Sequence, residues 1–196
     1  LTRKEAYATT GPRMRVRIFG GWDFTEKDLG APDFVSKGYT RGVPMGGDLT
    51  NAPEGASPSI MVRAIRDPDG ANLDRVQVIK GWIDANGETA EKVYDIAVSG
   101  DRVIGDDGRA REPVGNTVDI ENATFTNTIG APALDGIWTD PDFDPTENAF
   151  YYVRVIEIPK PRWTTYDAAF FDIPLPDSVP PTTQDRAYTS PIWYTP

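Results

Sequence analysis

Three β-rich runs follow one another in the middle of the chain, at residues 60–66, 73–83 and 92–98. The tetrapeptide at 67–70, Asp-Pro-Asp-Gly, separates the first two and has the proline and glycine positions that a type I turn prefers. The tetrapeptide at 84–87, Asp-Ala-Asn-Gly, separates the second and third, and its Asn-Gly pair can adopt the positive φ of a hairpin turn. This pattern predicts antiparallel strands joined by short turns.

Other segments have the same character. Residues 13–18 alternate arginine with apolar side chains, which is typical of a half-buried strand. Further strands are predicted at 117–120, 123–128, 150–158 and 187–194. Seven or eight short strands with few helical periods favour an all-β fold, namely an antiparallel immunoglobulin-like or fibronectin-like sandwich with long irregular loops and little helix.

The segments between these strands are rich in glycine and proline. We predict long irregular loops at 31–58 and 159–186. The part at 38–50 carries an apolar pair between its glycines, which indicates a loop that packs on the domain. Residues 163–171 could form one short helix capped by Thr164 or Thr165. Residues 1–7 are good helix formers and predict the end of a helix, which Gly11-Pro12 would terminate.

Charge and composition exclude several functions. The chain has 20 basic and 30 acidic residues, a formal net charge of −10, which disfavours nucleic acid and anionic lipid as partners. We expect no membrane insertion, because no stretch approaches the ~20 apolar residues that span a bilayer. The absence of cysteine and histidine removes thiolate nucleophiles, the Ser-His-Asp triad and the usual zinc ligands. Catalysis by carboxylates stays possible, but no pair stands out, so no catalytic residue is predicted and the sequence leaves open whether the protein is an enzyme.

One acidic segment resembles the start of a calcium loop. Asp140, Asp142 and Asp144 occupy alternate positions, as the first three ligands of an EF-hand do. That motif requires glycine at its sixth position and glutamate at its twelfth, where this chain has Pro145 and Tyr151. We therefore interpret the segment as an acidic turn and predict no metal site, although cation binding by 140–148 stays open.

The five tryptophans suggest a second class of function, the binding of a carbohydrate or a peptide by a β-sandwich. Trp82, Trp138 and Trp193 lie in or beside predicted strands and are interpreted as core residues. Trp22 and Trp163 flank loops, so they are the candidates for exposed ligand-binding side chains.

Several segments together resemble an uncharacterised bacterial family. The segment at 5–13 (EAYATTGPR) resembles the exit from the barrel of PHP-type (polymerase and histidinol phosphatase) metallohydrolase-like proteins. The segments at 150–157 and 187–194 resemble the last two strands of the sandwich that follows that barrel. Three further segments resemble the same family, namely 42–48, 115–118 and 138–144.

The resemblance implies a two-part protein related to the carbaryl-hydrolase branch of ester- and phosphoester-cleaving enzymes. An upstream barrel would hold divalent metal through histidine and aspartate, so this chain itself would need no cofactor. Residues 1–13 would be the tail end of that barrel domain, and residues 14–196 the sandwich. Periplasmic or secreted proteins are common in such a family, so that location is favoured, and a homo-oligomer is possible.

On this hypothesis the chain is a non-catalytic accessory domain that packs on the barrel and shapes its substrate entrance. The alternative is a carbohydrate- or peptide-binding module. The expected contacts with the barrel come from the first arginine-rich strand and from the glycine-rich loop. The candidate interface residues are Arg13, Arg15, Val43, Met45 and Asp48.

Overall fold

A computed structural model describes residues 2–196. The described chain has three short helices and thirteen strands. The helices are α1 (Glu26–Leu29), α2 (Phe34–Arg41) and α3 (Trp163–Phe171). The strands are β1 (Tyr7–Thr9), β2 (Arg15–Gly21), β3 (Gly42–Pro44), β4 (Asp48–Leu49), β5 (Ser59–Ile65), β6 (Leu73–Ile83), β7 (Thr89–Val98), β8 (Ala133–Thr139), β9 (Ala149–Glu157), β10 (Lys160–Pro161), β11 (Thr182–Thr183), β12 (Arg186–Thr189) and β13 (Ile192–Tyr194).

The strands form two large sheets and one small one. In the first large sheet, β9 pairs with β6 on one side and with both β12 and β13 on the other. Strand β7 extends this sheet beyond β6, while β1 and β4 extend it at the opposite edge. The second large sheet has the order β3-β2-β5-β8, and β10 pairs with β11 separately. Every pairing is antiparallel except that of β4 with β13.

The main core lies between the two large sheets. Apolar side chains point inward at alternate positions along β2, β5, β6 and β9, and these inward faces of the two sheets pack against each other. Ile18, Val62, Val78 and Val153 are representative, each with no more than 1% of its surface exposed. The predicted all-β sandwich is therefore confirmed, while its assignment to the immunoglobulin-like or fibronectin-like type stays a prediction.

The longest irregular segment is not where the sequence indicated. Residues 117–120 and 123–128 form no strands; only an isolated bridge joins Asp119 to Thr124. The β-branched residues there find no sheet to pair with, and Asn122 and Asp119 instead bond each other across a tight turn. As a result, the whole connection at 99–132 is irregular.

Three other segments are also more structured or differently structured than predicted. The helix predicted at 1–7 is wrong for the described residues 2–7, because Tyr7–Thr9 pairs with β12 in the first sheet. The predicted loop 31–58 contains α2, β3 and β4, and the predicted loop 159–186 contains β10, α3 and β11. Helix α3 is confirmed, but its N-cap is Arg162 and no side chain caps it.

Helices α1 and α2 cover only half of the outer face of the second sheet. Phe19 and Met61 point outward from β2 and β5 and are buried beneath Leu29 and Phe34. A Cβ atom at Gly38 would overlap the Phe19 ring, so α2 can lie directly on the sheet only because this position has no side chain. The other half of this outer face is left without a covering helix. No helix in the described part of the chain is long and apolar enough to cross a membrane.

Candidate docking site

The uncovered half of the second sheet forms a groove of about 770 Å³. Arg15 and Arg17 of β2 stand opposite Ile65 and Arg63 of β5, because the antiparallel register pairs 15 with 65 and 17 with 63. The walls come from the N-terminal segment and from α2. They include Arg3, Glu5, Tyr7, Val35 and Tyr39.

One side of the groove is organised by Glu5. Its carboxylate accepts hydrogen bonds from Arg3 at 2.9 Å, from Arg17 at 3.2 Å and from the hydroxyl of Tyr39. Arg17 also donates to the Tyr39 oxygen at 3.0 Å. The hydrogen bond to Glu5 raises the pKa of Tyr39, with burial adding to the effect. This network fixes α2 and the N-terminal segment to the sheet.

The opposite side is organised by Arg63. Its guanidinium lies 4.4 Å from the centre of the Phe34 ring and donates to the backbone carbonyl of Leu29. Its Nε atom lies 3.4 Å from a carboxylate oxygen of Asp135 on β8. That Nε atom is buried and makes no hydrogen bond. Burial raises the pKa of Asp135, and the nearby Arg63 opposes the rise.

The guanidinium of Arg15 has neither a hydrogen bond nor an ion pair within the described residues. The guanidinium groups of Arg17 and Arg63 have both. Arg15 is exposed beside Ile65, which has 52% of its surface exposed. Four arginines line the groove against one acidic residue, Glu5, in a chain that has ten more acidic than basic residues. The groove can therefore bind a surface that offers carboxylates beside apolar side chains.

The structure brings two of the five candidate interface residues to this groove. Arg15 and Met45 line it, although Met45 is otherwise part of the core. Arg13 instead binds the turn after β5: its backbone nitrogen donates to Asp67 at 2.6 Å, and its guanidinium lies 2.6 Å from Asp69. The hydrogen bond from the Arg13 backbone and a second from the Asp69 backbone lower the pKa of Asp67 to about 2.

The glycine-rich loop packs against the first sheet. Gly46 and Gly47 exchange backbone hydrogen bonds with the segment around β13, donating to Pro191 and accepting from Trp193. Val43 packs against the core, and Asp48 is exposed on β4 at the sheet edge. Val43 and Asp48 therefore lie outside the groove.

The two ligand-binding candidates occupy different environments. Trp22 is half-buried: its ring centre lies 5.8 Å from those of Phe143 and Tyr194, so only part of the ring is accessible to a ligand. Trp163 has 67% of its surface exposed, near Phe170 and Phe171 on the same exposed helix.

The acidic segment 140–148 uses its carboxylates within the chain. Asp140 pairs with Lys80 at 2.7 Å and Asp142 with Lys92 at 2.6 Å, while Asp144 accepts from Thr146. Among residues 2–196 there is no group of three histidine, cysteine or acidic side chains arranged to hold a metal ion. The divalent metal that the resemblance implies therefore finds no ligand set in the part of the chain that the structure describes.

Three of the residues that line the groove were not predicted as site residues from the sequence, namely Tyr39, Arg63 and Ile65. Arg63 and Ile65 belong to a run that is apolar apart from one arginine, so it indicated a strand without showing which face stays open. Only the pairing of β2 with β5 places Arg63 beside Arg17. The alternating arginines of 13–18 were the one signal in the sequence that pointed to this face.

The comparisons with known proteins give a family but no function. Searches of curated proteins and of solved structures found no match to this chain. The family described as "Protein of unknown function (DUF3604)" matches residues 1–196. Because that match spans the whole chain, the protein belongs to the DUF3604 family.

Proposed function

We propose that this chain is a non-catalytic accessory domain that packs on a catalytic barrel through the arginine groove. The barrel would be the PHP-like, metal-dependent ester or phosphoester hydrolase that the sequence resemblance implies, with its divalent metal bound there. The groove would face an acidic and partly apolar surface of the barrel, and the domain would help to shape the substrate entrance.

The observation that carries this proposal is the unpaired Arg15 beside the exposed Ile65. Covering an exposed isoleucine removes apolar surface from water, and a guanidinium without a partner can form charge-assisted hydrogen bonds with a carboxylate of the covering surface. Arginine and aromatic residues are enriched in protein interfaces, and Arg15, Arg63, Tyr7 and Tyr39 give the groove that composition.

The position of the N-terminal segment also supports the proposal. Arg3, Glu5 and Tyr7 form one wall of the groove. A domain joined to this segment would therefore begin next to the surface on which it is proposed to pack. The Glu5 network would hold that wall in place against β2 and α2.

The proposal can be tested by thiol labelling, because the chain contains no cysteine. Ile65→Cys would place a single thiol in the groove, and the matched control Val103→Cys would place one at an equally exposed site, 58% against 52%, in the irregular loop after β7. Both variants are made in this chain alone and in a longer polypeptide that carries the upstream region, and the rate of labelling by an uncharged maleimide is read by mass spectrometry.

We expect Ile65→Cys to react ~10-fold or more slowly in the longer polypeptide, whereas Val103→Cys reacts equally in both. Adding Arg15→Glu should restore the labelling of Ile65→Cys in the longer polypeptide, because a glutamate at position 15 would repel an acidic partner surface. Arg111 is exposed and lies outside the groove, so adding Arg111→Glu should not restore the labelling. Equal labelling of Ile65→Cys in the two polypeptides would overturn the proposal.

A further inference from the structure

A second concave site lies at one end of the first sheet, on the opposite layer of the sandwich. It has a volume of about 530 Å³, a size typical of small-molecule sites. Residues from β6, β7, β9 and β13 line it, including Gly81, Trp82, Glu91, Phe150 and Trp193. Four of its twelve lining residues are aromatic, and no lysine or arginine lines it.

The aromatic rings form a continuous surface on the outward side of this sheet. Phe150 and Trp193 are direct cross-strand partners on β9 and β13, and their ring centres are 5.4 Å apart. Tyr152, two residues further along β9, continues the surface, with its ring tilted by only 18° from that of Phe150. Trp193 has 44% of its surface exposed. The Phe150 ring and the exposed indole of Trp193 therefore offer apolar ring area to a ligand.

Gly81 makes this arrangement possible. It lies opposite Phe150 in the β6–β9 pairing, and a Cβ atom there would overlap the Phe150 ring. Without a side chain at position 81, the Phe150 ring can extend sideways over β6. The ring thus covers β6 at Gly81 and forms one wall of the concave site.

Unused polar groups surround the rings. The side chains of Thr89, Glu91 and Asn148 line the site, are exposed, and have no hydrogen-bond partner among the described residues. They offer a hydroxyl, a carboxylate and an amide. Together they can donate to and accept from several neighbouring hydroxyl groups of one ligand.

We propose that this site binds a neutral carbohydrate. One face of a pyranose ring presents C–H bonds to the negative face of an aromatic ring, while its edge presents hydroxyls to groups such as Glu91 and Asn148. An anionic ligand is disfavoured, because the only charged lining residue is Glu91 and the chain is strongly acidic. The site uses neither Trp22 nor Trp163, and it does not depend on the docking proposal for the other sheet.

The test uses this chain and three neutral hexasaccharides, namely cellohexaose, maltohexaose and xylohexaose, titrated at millimolar concentration in a calorimeter. Polygalacturonate serves as the anionic comparison. Trp193→Ala removes the exposed ring, and Glu91→Gln removes the charge on an exposed side chain while keeping its size. Trp163→Ala is the matched control, since it removes an exposed tryptophan outside the site. Circular dichroism checks that each variant is folded.

We expect saturable binding of at least one neutral hexasaccharide, weakened ~10-fold or more by Trp193→Ala and by a smaller factor by Glu91→Gln. Trp163→Ala should leave the affinity unchanged, and polygalacturonate should bind more weakly than the neutral sugar. The inference is overturned if no neutral hexasaccharide binds, if Trp193→Ala and Glu91→Gln both leave binding unchanged, or if a random-sequence peptide mixture binds this site and the sugars do not.

Discussion

The two ends of strand β9 bury carboxylates in different ways. Tyr151, near its start, contacts the buried Asp140, and Glu157, at its end, is itself buried. The two sites are six residues apart along one strand, which is about 20 Å. Both carboxylates are shielded from water, but their hydrogen-bond partners differ.

At the Tyr151 end, the buried charges are fully partnered. Asp140 accepts from the Lys80 ammonium at 2.7 Å, from the Tyr151 hydroxyl at 2.7 Å and from the backbone of Asp142 at 3.0 Å. The Lys80 ammonium also donates to the backbone carbonyl of Asp142. Burial, together with the neighbouring Asp140 charge, raises the pKa of Tyr151, so its hydroxyl stays protonated and remains a donor.

At the Glu157 end, neither carboxylate oxygen has a hydrogen bond. Lys160 lies 3.5 Å from one of them but is shared with Asp185, which it contacts at 2.5 Å. Burial raises the pKa of Glu157 to about 7; Lys160 opposes the rise, while Asp185 and the more distant Asp67 add to it. The Glu157 carboxylate is therefore buried without hydrogen-bond donors, and burial without donors favours the protonated form.

The largest expected effect comes from Asp140→Asn. The change removes the charge that balances Lys80, whose side chain is only 2% exposed, and so leaves a buried ammonium unpaired. We expect the free energy of unfolding to fall by about 3–5 kcal/mol, measured by urea denaturation at pH 7. The exposed Asp144→Asn in the same segment is the control and should change stability by about 0.5 kcal/mol or less. A comparable loss of unfolding free energy in both variants would contradict the claim that burial makes the Asp140–Lys80 pair important.

The next largest effect is a pH dependence from Glu157. Its pKa in the folded state, about 7, is higher than the ordinary value of 4.5, so the folded state binds the proton more tightly than the unfolded state. The protonated Glu157 therefore stabilises the folded state in full below about pH 4.5. This stabilisation, about 3 kcal/mol, is lost as the pH rises to about 7. The measurement is the difference in unfolding free energy between the wild type and Glu157→Gln across this range.

In that comparison, Glu157→Gln should gain stability relative to the wild type as the pH rises, and the difference should level off above about pH 7. Asp67, whose pKa is lowered to about 2, contributes the opposite slope, but only below its ordinary value near 3.8, and it does so in both proteins. A difference that does not change between pH 4.5 and 8 would show that Glu157 titrates normally.

A smaller effect is expected for Tyr151→Phe. The change removes one hydrogen bond to Asp140 while the Lys80 pair and the aromatic packing against Trp138 remain. Hydrogen bonds to charged groups are worth about 1.5–3 kcal/mol, so we expect a loss in that range by urea denaturation. Tyr7→Phe removes a partly buried hydrogen bond to the uncharged Met14 carbonyl from a tyrosine that is 39% exposed, and it should cost less. If Tyr7→Phe lost more unfolding free energy than Tyr151→Phe, burial would not explain the strength of the Tyr151–Asp140 hydrogen bond.

The smallest effect is expected for Lys92→Gln. Lys92 pairs with Asp142 at 2.6 Å, a shorter distance than that of the buried pair, but both side chains are about half exposed. Solvent screens this pair, and we expect a loss below about 1 kcal/mol, which salt would reduce further. The measurement is urea denaturation at low and high ionic strength. A loss as large as that of Asp140→Asn would mean that ion-pair distance matters more than burial.

The local sequence predicted the parts of the fold that depend on neighbours along the chain. Strands β5, β6 and β7 follow from β-rich runs bounded by turn residues, and α3 from a stretch of helix-compatible residues between prolines. Strand β8 was missed because Asp135 and Gly136 are poor strand formers. Gly136 is buried, and a Cβ atom there would lie 3.3 Å from the side chain of Ala97 on β7. A glycine at this position therefore lets the two sheets approach closely.

The candidate sites were less predictable, because each assembles residues that are far apart in sequence. The arginine groove needs the pairing of β2 with β5, and the aromatic site needs Gly81, Phe150 and Trp193 on three strands. The sequence offered Arg15 for the first site and a choice of tryptophans for the second, with Trp193 interpreted as a core residue. The exposure of Trp193 depends on which face of β13 turns outward.

By itself, the sequence determined that this chain is strand-rich and acidic and that its residues offer no imidazole or thiol, because composition and short-range alternation need no knowledge of the fold. Tertiary structure alone decided which charges are buried, which are paired and which faces stay open. Strand register sets those outcomes, since moving a strand by one residue exchanges its inward and outward side chains.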